Sequence, residues 1–296
     1  MNKAVGLLSF LLLLANLTEA QSFFASRRER SLIFTGGLGT STYYGDLANS
    51  SSYVQTDPNI NVGLQYYITN RISARAELNW FTLAGDDKDD NSGTRFRRNL
   101  SFQSSNFELS AVAIVNLFKN GDRYYRRPNF NVYGFGGIGL LYFNPKATYK
   151  GISYSLQPLK TEGVAYSLVT PVIPFGIGVR FKVTPQFNVS IEAGFRKTFT
   201  DYLDDVSTKY IDNNSFTDPI AKALADRRPE LKDPLPVASA GFIRGNPNSN
   251  DSYMLLNVKL EYYLPYDFSG KGNGLKYNKK RKANYRYNKT GGMKRR

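Results

Sequence analysis

Residues 59–69 read Asn-Ile-Asn-Val-Gly-Leu-Gln-Tyr-Tyr-Ile-Thr, and residues 71–83 read Arg-Ile-Ser-Ala-Arg-Ala-Glu-Leu-Asn-Trp-Phe-Thr-Leu. In the first stretch Ile60, Val62, Leu64, Tyr66 and Ile68 fall on one parity, with Asn61, Gly63, Gln65 and Thr69 on the other. In the second, Ile72, Ala74, Ala76, Leu78 and Trp80 alternate with Arg71, Ser73, Arg75, Glu77 and Asn79. Successive side chains of a strand point to opposite faces, so each stretch is a strand with one apolar and one polar side.

Outward from this pair the same period recurs. Eight segments carry it, at about 31–44, 59–69, 71–84, 104–118, 129–143, 167–182, 187–200 and 252–264. Most are long enough for a tilted strand to cross an outer membrane, which takes about 9–11 residues. Connections around Asn70, Asn120-Gly121 and Thr184-Pro185 are short. Those after the first, third, fifth and seventh segments are long, the last running from about Asp201 to Asp251. The pattern predicts an all-β fold: an eight-stranded antiparallel transmembrane β-barrel with long extracellular loops over 21–264. An even strand number puts both barrel ends on the short-turn, periplasmic side.

A secreted sandwich or lipocalin-like barrel would share the period but hide the apolar face. Three features favour the membrane version. Aromatic residues cluster near strand ends, at Tyr43-Tyr44, Tyr66-Tyr67, Trp80-Phe81, Tyr142-Phe143 and Tyr262-Tyr263, as expected of interfacial girdles. The apolar faces include Ala74, Ala76, Ala111 and Ala113, which lipid tolerates better than a packed core. The polar faces carry charges at mid-strand.

In a membrane barrel those charges face the lumen: Arg75, Glu77, Glu108, Arg180, Glu192, Arg196, Lys259 and Glu261. Eight strands leave room only for side chains, and an unpaired buried charge is costly. A salt-bridged core is therefore expected rather than a general porin.

The chain has 296 residues, no Cys and no His, and a net charge of +15. No disulfide, thiolate, imidazole base or His/Cys metal site is available. No catalytic residue, metal or cofactor is assigned. Residues 1–20 read as a secretory signal peptide, with Lys3, an apolar run from Ala4 to Leu14 and small residues Thr18 and Ala20 before the cut. The run is too short for a spanning helix, and export excludes nucleic acid as a partner.

Asp201, Asp204 and Asp205 stand at the outer end of the seventh strand. Clustered carboxylates can hold a cation or position water; the favoured reading is a solvated loop entrance with turn-forming Asp. Asp86-Asp87-Lys88-Asp89-Asp90 reads as a solvated loop tip. Asp218-Pro219 predicts a helix start running through Leu224 and Ala225, ended by Pro229 and Pro234, either a lid or an ornament.

Residues 265–296 form a basic tail with eleven cations against one anion. Lys276, Lys279, Lys280, Arg281, Lys282, Arg286, Lys289, Lys294, Arg295 and Arg296 are its candidate partner-binding residues, and its glycines predict disorder. An acidic protein, anionic lipid headgroups or a wall polymer would suit it.

Three phrases carry a family resemblance: Thr42-Tyr43-Tyr44-Gly45-Asp46-Leu47, Pro174-Phe175-Gly176-Ile177-Gly178-Val179-Arg180, and Thr200-Asp201-Tyr202-Leu203-Asp204-Asp205-Val206-Ser207. With the strand plan, they make the chain resemble the Bacteroidota outer-membrane barrels that include PorG of the type IX secretion system. The resemblance covers about 25–265. It implies an integral barrel associated with periplasmic ring proteins of the PorK and PorN type, linked in some members to gliding motility. Tyr44, Gly45, Asp46, Asp201, Tyr202, Leu203, Asp204 and Asp205 are family-marking positions near the outer rim, and no catalytic residue is implied. The expected function is a non-enzymatic outer-membrane secretion component whose turns and tail dock ring proteins. The alternatives are a barrel that binds or modifies a lipid or extracellular ligand at its acidic rim, and a narrow channel.

Overall fold

In the computed structural model, the structure describes residues 32–48, 57–89, 95–121 and 126–264. The signal peptide expected at 1–20 and the basic tail at 265–296 lie outside the described residues. The eight long strands are β1 (Leu32–Tyr44), β2 (Asp57–Tyr67), β3 (Ile72–Asp86), β4 (Ser101–Asn116), β5 (Phe130–Tyr142), β8 (Val169–Lys182), β9 (Phe187–Thr198) and β10 (Ser252–Leu264). Two short strands, β6 (Pro145–Tyr149) and β7 (Ile152–Ser155), complete the set. The long strands pair antiparallel in the order β3-β2-β1-β10-β9-β8-β5-β4, and β3 pairs with β4, which closes the wall. Leu32 pairs with Leu264, so the first and last strands meet at the short-turn end.

The closed tube is inside-out. Along β2, Ile60, Val62 and Leu64 face outward while Asn59, Asn61 and Gln65 are buried in the lumen. Leu38, Leu109, Ile138, Ile177 and Val258 also face out. A water-soluble barrel would reverse this. The arrangement is that of the outer-membrane β-barrel fold, in which the apolar band meets lipid.

Period two also divides the aromatic pairs. Trp80 faces out and Phe81 is fully buried. Tyr142 and Phe143 divide likewise, one exposed and one buried. Only one member of each of these pairs can belong to a girdle; the other fills the interior.

Two connections add detail to the expected plan. In the one between β4 and β5, the Arg127 guanidinium donates to Asn188 Oδ1 at 2.9 Å and to the Pro185 and Thr184 carbonyls, and lies 4.0 Å from the Tyr263 ring centroid. The segment 143–168 contains the β6–β7 hairpin, which continues the wall beyond the barrel by pairing with β4 at Gln103 and Ser104.

At the long-loop end the connections fold inward as a cap. Leu47, Leu100, Phe143, Leu156, Leu203, Val206 and Leu224 pack with the wall residues Tyr43, Phe81, Leu83, Phe102, Leu141, Val172, Tyr253 and Leu255 in one apolar cluster. The expected helix is α1 (Pro219–Ala225), with Asp218 Oδ1 accepting from the Ile220 N–H at 2.8 Å. Its buried face is Ala221, Leu224 and Ala225. Because Leu224 belongs to the apolar cluster, α1 is part of the cap and not an ornament.

Candidate functional site

Two clusters of charge occupy the interior, one in the lumen and one in the cap. In the lumen, period two places the eight expected charged residues, Arg75, Glu77, Glu108, Arg180, Glu192, Arg196, Lys259 and Glu261, on the inner face, each nearly or fully buried. Arg75 Nη2 lies 2.7 Å from Glu192 Oε1 and Arg75 Nε 2.8 Å from Glu77 Oε2. The Lys259 ammonium lies 2.7 Å from Glu77 and 2.8 Å from Glu192. Arg180 pairs with Glu261 at 2.6 Å, and Arg196 with Glu108 at 3.3 Å. Tyr133 donates to Glu192 and Tyr253 to Glu108, while Asn188 Nδ2 donates to Glu261. Arg180 also stands over the Tyr133 ring, 4.6 Å from its centroid. Every charge in this set faces an opposite one at contact distance. Removing one partner from such a set is costly, because it leaves an uncompensated buried charge.

In the cap, the two rim phrases are brought together. Tyr43, the inward neighbour of Tyr44, sits with its hydroxyl 2.8 Å from Asp204 Oδ2 and 2.7 Å from Asp251 Oδ1. The Leu47 N–H donates to Asp204 Oδ2, and the Leu203 N–H to Asp251 Oδ2 at 2.9 Å. Gly45 makes this approach possible. A Cβ there would lie 1.9 Å from both the Asp251 carboxylate and the Tyr43 hydroxyl. Asp46 Oδ2 accepts from the Asn246 N–H at 2.7 Å. Tyr44 faces outward against Phe195, with ring centroids 6.0 Å apart, and Tyr202 stacks on Tyr166 at 4.7 Å.

The acidic rim is therefore not a solvated loop entrance. Asp204 and Asp205 are each 1% exposed, and Asp87 of the supposed loop tip is fully buried against Arg98 at 2.7 Å. The cause is tertiary: the loops pack over the mouth and take their carboxylates with them. Asp205 accepts from Tyr166 at 2.7 Å and from Thr161, with Arg244 3.7 Å away. Arg244 also donates to Glu162 at 2.8 Å, and Glu162 accepts from the Ser207 and Thr208 N–H groups. Arg98, Glu162, Arg244 and Asp251 were not singled out from sequence. They lie in long loops without periodicity, and their partners are far away along the chain.

Burial sets the protonation of this group. It pushes the Asp204 carboxyl up to about 8, with Asp46 adding to the effect of burial. Asp251 is raised for the same reason, with the nearby Asp204 contributing. Asp201 is pushed up to about 7, mainly by burial, with the Ser207 side chain opposing the rise. Asp205 rises to about 6, restrained by Arg244. Glu162 goes the other way: burial raises it, but Arg244, the Thr208 hydroxyl and the Ser207 N–H together outweigh burial. Among the described residues no three acidic side chains are arranged to hold a metal ion.

The model of a family described as a domain of unknown function, DUF6089, matches residues 7–218. No curated protein matches the chain. Among solved structures the chain is similar to the Neisserial surface protein A, NspA, at 9% identity and a TM-score of 0.41, covering 79% of this chain and 97% of that one. It is similar to Ail, the attachment invasion locus protein of Yersinia pestis, at 9% identity and a TM-score of 0.40, covering 79% and 99%. It is also similar to the outer membrane protein OprG from Pseudomonas aeruginosa, at 9% identity and a TM-score of 0.38, covering 80% and 97%.

Proposed function

The chain belongs to the DUF6089 family, and we propose that it is a non-enzymatic, integral outer-membrane component of a type IX-like protein secretion machine, comparable to PorG. The single observation that supports an anchor is the filled interior. Opposite charges pair through the lumen, and packed loops cover one mouth. A tube closed in this way transports nothing through itself, so its useful surfaces are its ends. At the short-turn end lie the connections 68–71 and 183–186 and the end of β10 at Leu264, which the basic residues 265–296 follow in sequence. In this reading the short-turn end is periplasmic, and the tail docks a ring protein of the PorK or PorN type through its cations. The resemblance in the rim phrases supports the choice of machine.

Deleting 265–296 is expected to leave barrel assembly intact and to weaken co-purification with periplasmic ring proteins after gentle detergent extraction. Unchanged co-purification would sink the tail's role. Large, stable conductance steps in planar bilayers would sink the closed anchor itself. Binding or modification of a ligand at the acidic rim is disfavoured, because Asp204 and Asp205 are spent on contacts inside the cap.

A further inference from the structure

Tyr43 carries one hydroxyl proton, yet its oxygen lies within hydrogen-bond distance of two carboxylates, at 2.8 Å to Asp204 and 2.7 Å to Asp251. It donates to one of them. The contact with the other is a hydrogen bond only if that carboxyl is itself protonated and donates to the phenol oxygen. With both carboxylates ionised, two buried anions would share a single side-chain donor, with the Leu47 and Val206 N–H groups on Asp204 and the Leu203 N–H on Asp251 as their other hydrogen bonds. The remaining charged and titratable neighbours do not relieve this. Asp46, on the segment after β1, and Asp201, after β9, add negative charge. Tyr166, on the connection after β5, already donates to Asp205. The cation acting on Asp204 is Arg98, from the connection after β3, and it is committed to Asp87 through two bonds of 2.7 Å.

We propose that Asp204, Tyr43 and Asp251 form a shared-proton clasp that locks the cap onto the barrel wall in mild acid and loosens it as that proton is lost. The three groups come from β1, from the segment after β9 and from the residue preceding β10, so the clasp ties the longest loop to the wall at both of its ends. Gly45 is the clearance that lets them meet. The direction follows from the raised Asp204 carboxyl. In an opened cap that group would return to an ordinary value near 4, whereas in the closed cap it holds its proton up to about 8. Its contribution to closure is complete below about pH 4 and is lost progressively as pH rises towards 8.

The amides of Leu203 and Val206 report the clasp directly, since they donate to Asp251 and Asp204. Their hydrogen exchange is to be measured on the full chain in detergent micelles from pH 5 to pH 8, corrected for intrinsic exchange. One clasp proton makes the opening constant climb about tenfold per pH unit, or about a thousandfold over the range. In D204N, which removes the raised carboxyl and keeps one acceptor oxygen, the slope is expected to fall by that one decade per unit. The residual slope belongs to Asp251, Asp201 and Asp205. If D204N does not fold by circular dichroism, D251N is read instead, with a smaller fall in slope expected. Equal slopes in wild type and the folded variant would overturn the proposal. So would calcium alone, at pH 8, restoring wild-type protection to its pH 5 level but not that of D204N, because the group would then be a cation site.

Discussion

The lumen near the short-turn end and the chamber beneath the cap fill the same tube with opposite chemistry. In the lumen, side chains such as Arg75, Glu192 and Lys259 are held in place by charge and direction. In the chamber, Phe81, Leu83, Leu141, Tyr253 and Leu255 are held by volume and exclusion of water, with uncharged polar wall residues such as Ser41 and Asn106 among them. The changeover is visible within β3, whose inward residues run Ser73, Arg75, Glu77, Asn79 and then Phe81, Leu83. An ionic filling tolerates no missing partner but specifies its neighbours uniquely. An apolar filling tolerates substitution of similar volume and can be lifted off as a unit, which suits loops that must close after the wall has formed.

The largest effect is expected from Lys259→Met. It leaves Glu77 and Glu192 with one fewer cation in a buried site, which should lower barrel stability by about 3–5 kcal/mol, read as the urea midpoint of unfolding in micelles. Changing Glu77 to Gln in the same chain should recover part of the loss; no recovery would mean the two groups are not coupled as the 2.7 Å contact implies. Next comes Leu203→Ala in the cap, costing about 2–5 kcal/mol. The loss should appear as faster proteolysis of the loops with the barrel midpoint nearly unmoved. If the midpoint drops as far as for Lys259→Met, the cap and lumen are one cooperative unit and the contrast fails. Gly45→Ala should cost about 1–3 kcal/mol by overpacking, again confined to the cap and measured as loss of Leu203 amide protection. The smallest effect is expected at Arg227→Ala, whose pair with Glu230 is partly exposed, with about 0.2–1 kcal/mol at stake in thermal unfolding.

The wall and its contents were readable because strand parity is a strict local rule. Once Ile60, Val62 and Leu64 are assigned to lipid, Asn61 and Gln65 must face inward, and the same parity delivers Arg75, Glu77, Lys259 and Glu261. Parity also held information that the aromatic pairs obscured. Reading Trp80-Phe81 as one girdle element ignored that neighbouring residues point to opposite faces, and Phe81 is a core residue of the chamber. The cap was not legible. Asp204 meets Tyr43 across 161 positions and Asp251 meets it across 208, in loops with no period to set their direction. A run of Asp in such a loop reads as solvated until something is known to lie above it. The hairpin Pro145–Tyr149 and Ile152–Ser155 escaped notice because its strands are shorter than a membrane crossing.

The seam between β1 and β10 bears on how the molecule is built. Lys259 and Glu261 both belong to β10, the last strand made, and it pairs with β1, the first. A nascent sheet lacking β10 holds Arg180 without its carboxylate, and Glu77 and Glu192 with Arg75 as their only basic partner. Gly37 leaves the space through which the Lys259 stem passes, since a Cβ there would lie 2.7 Å from Lys259 Cγ. A slip of two residues would preserve parity and backbone bonds, yet would carry Lys259 away from Glu77 and Glu261 away from Arg180. The final strand thus carries a check on its own register: among pairings that keep parity, this one brings Lys259 to Glu77 and Glu261 to Arg180.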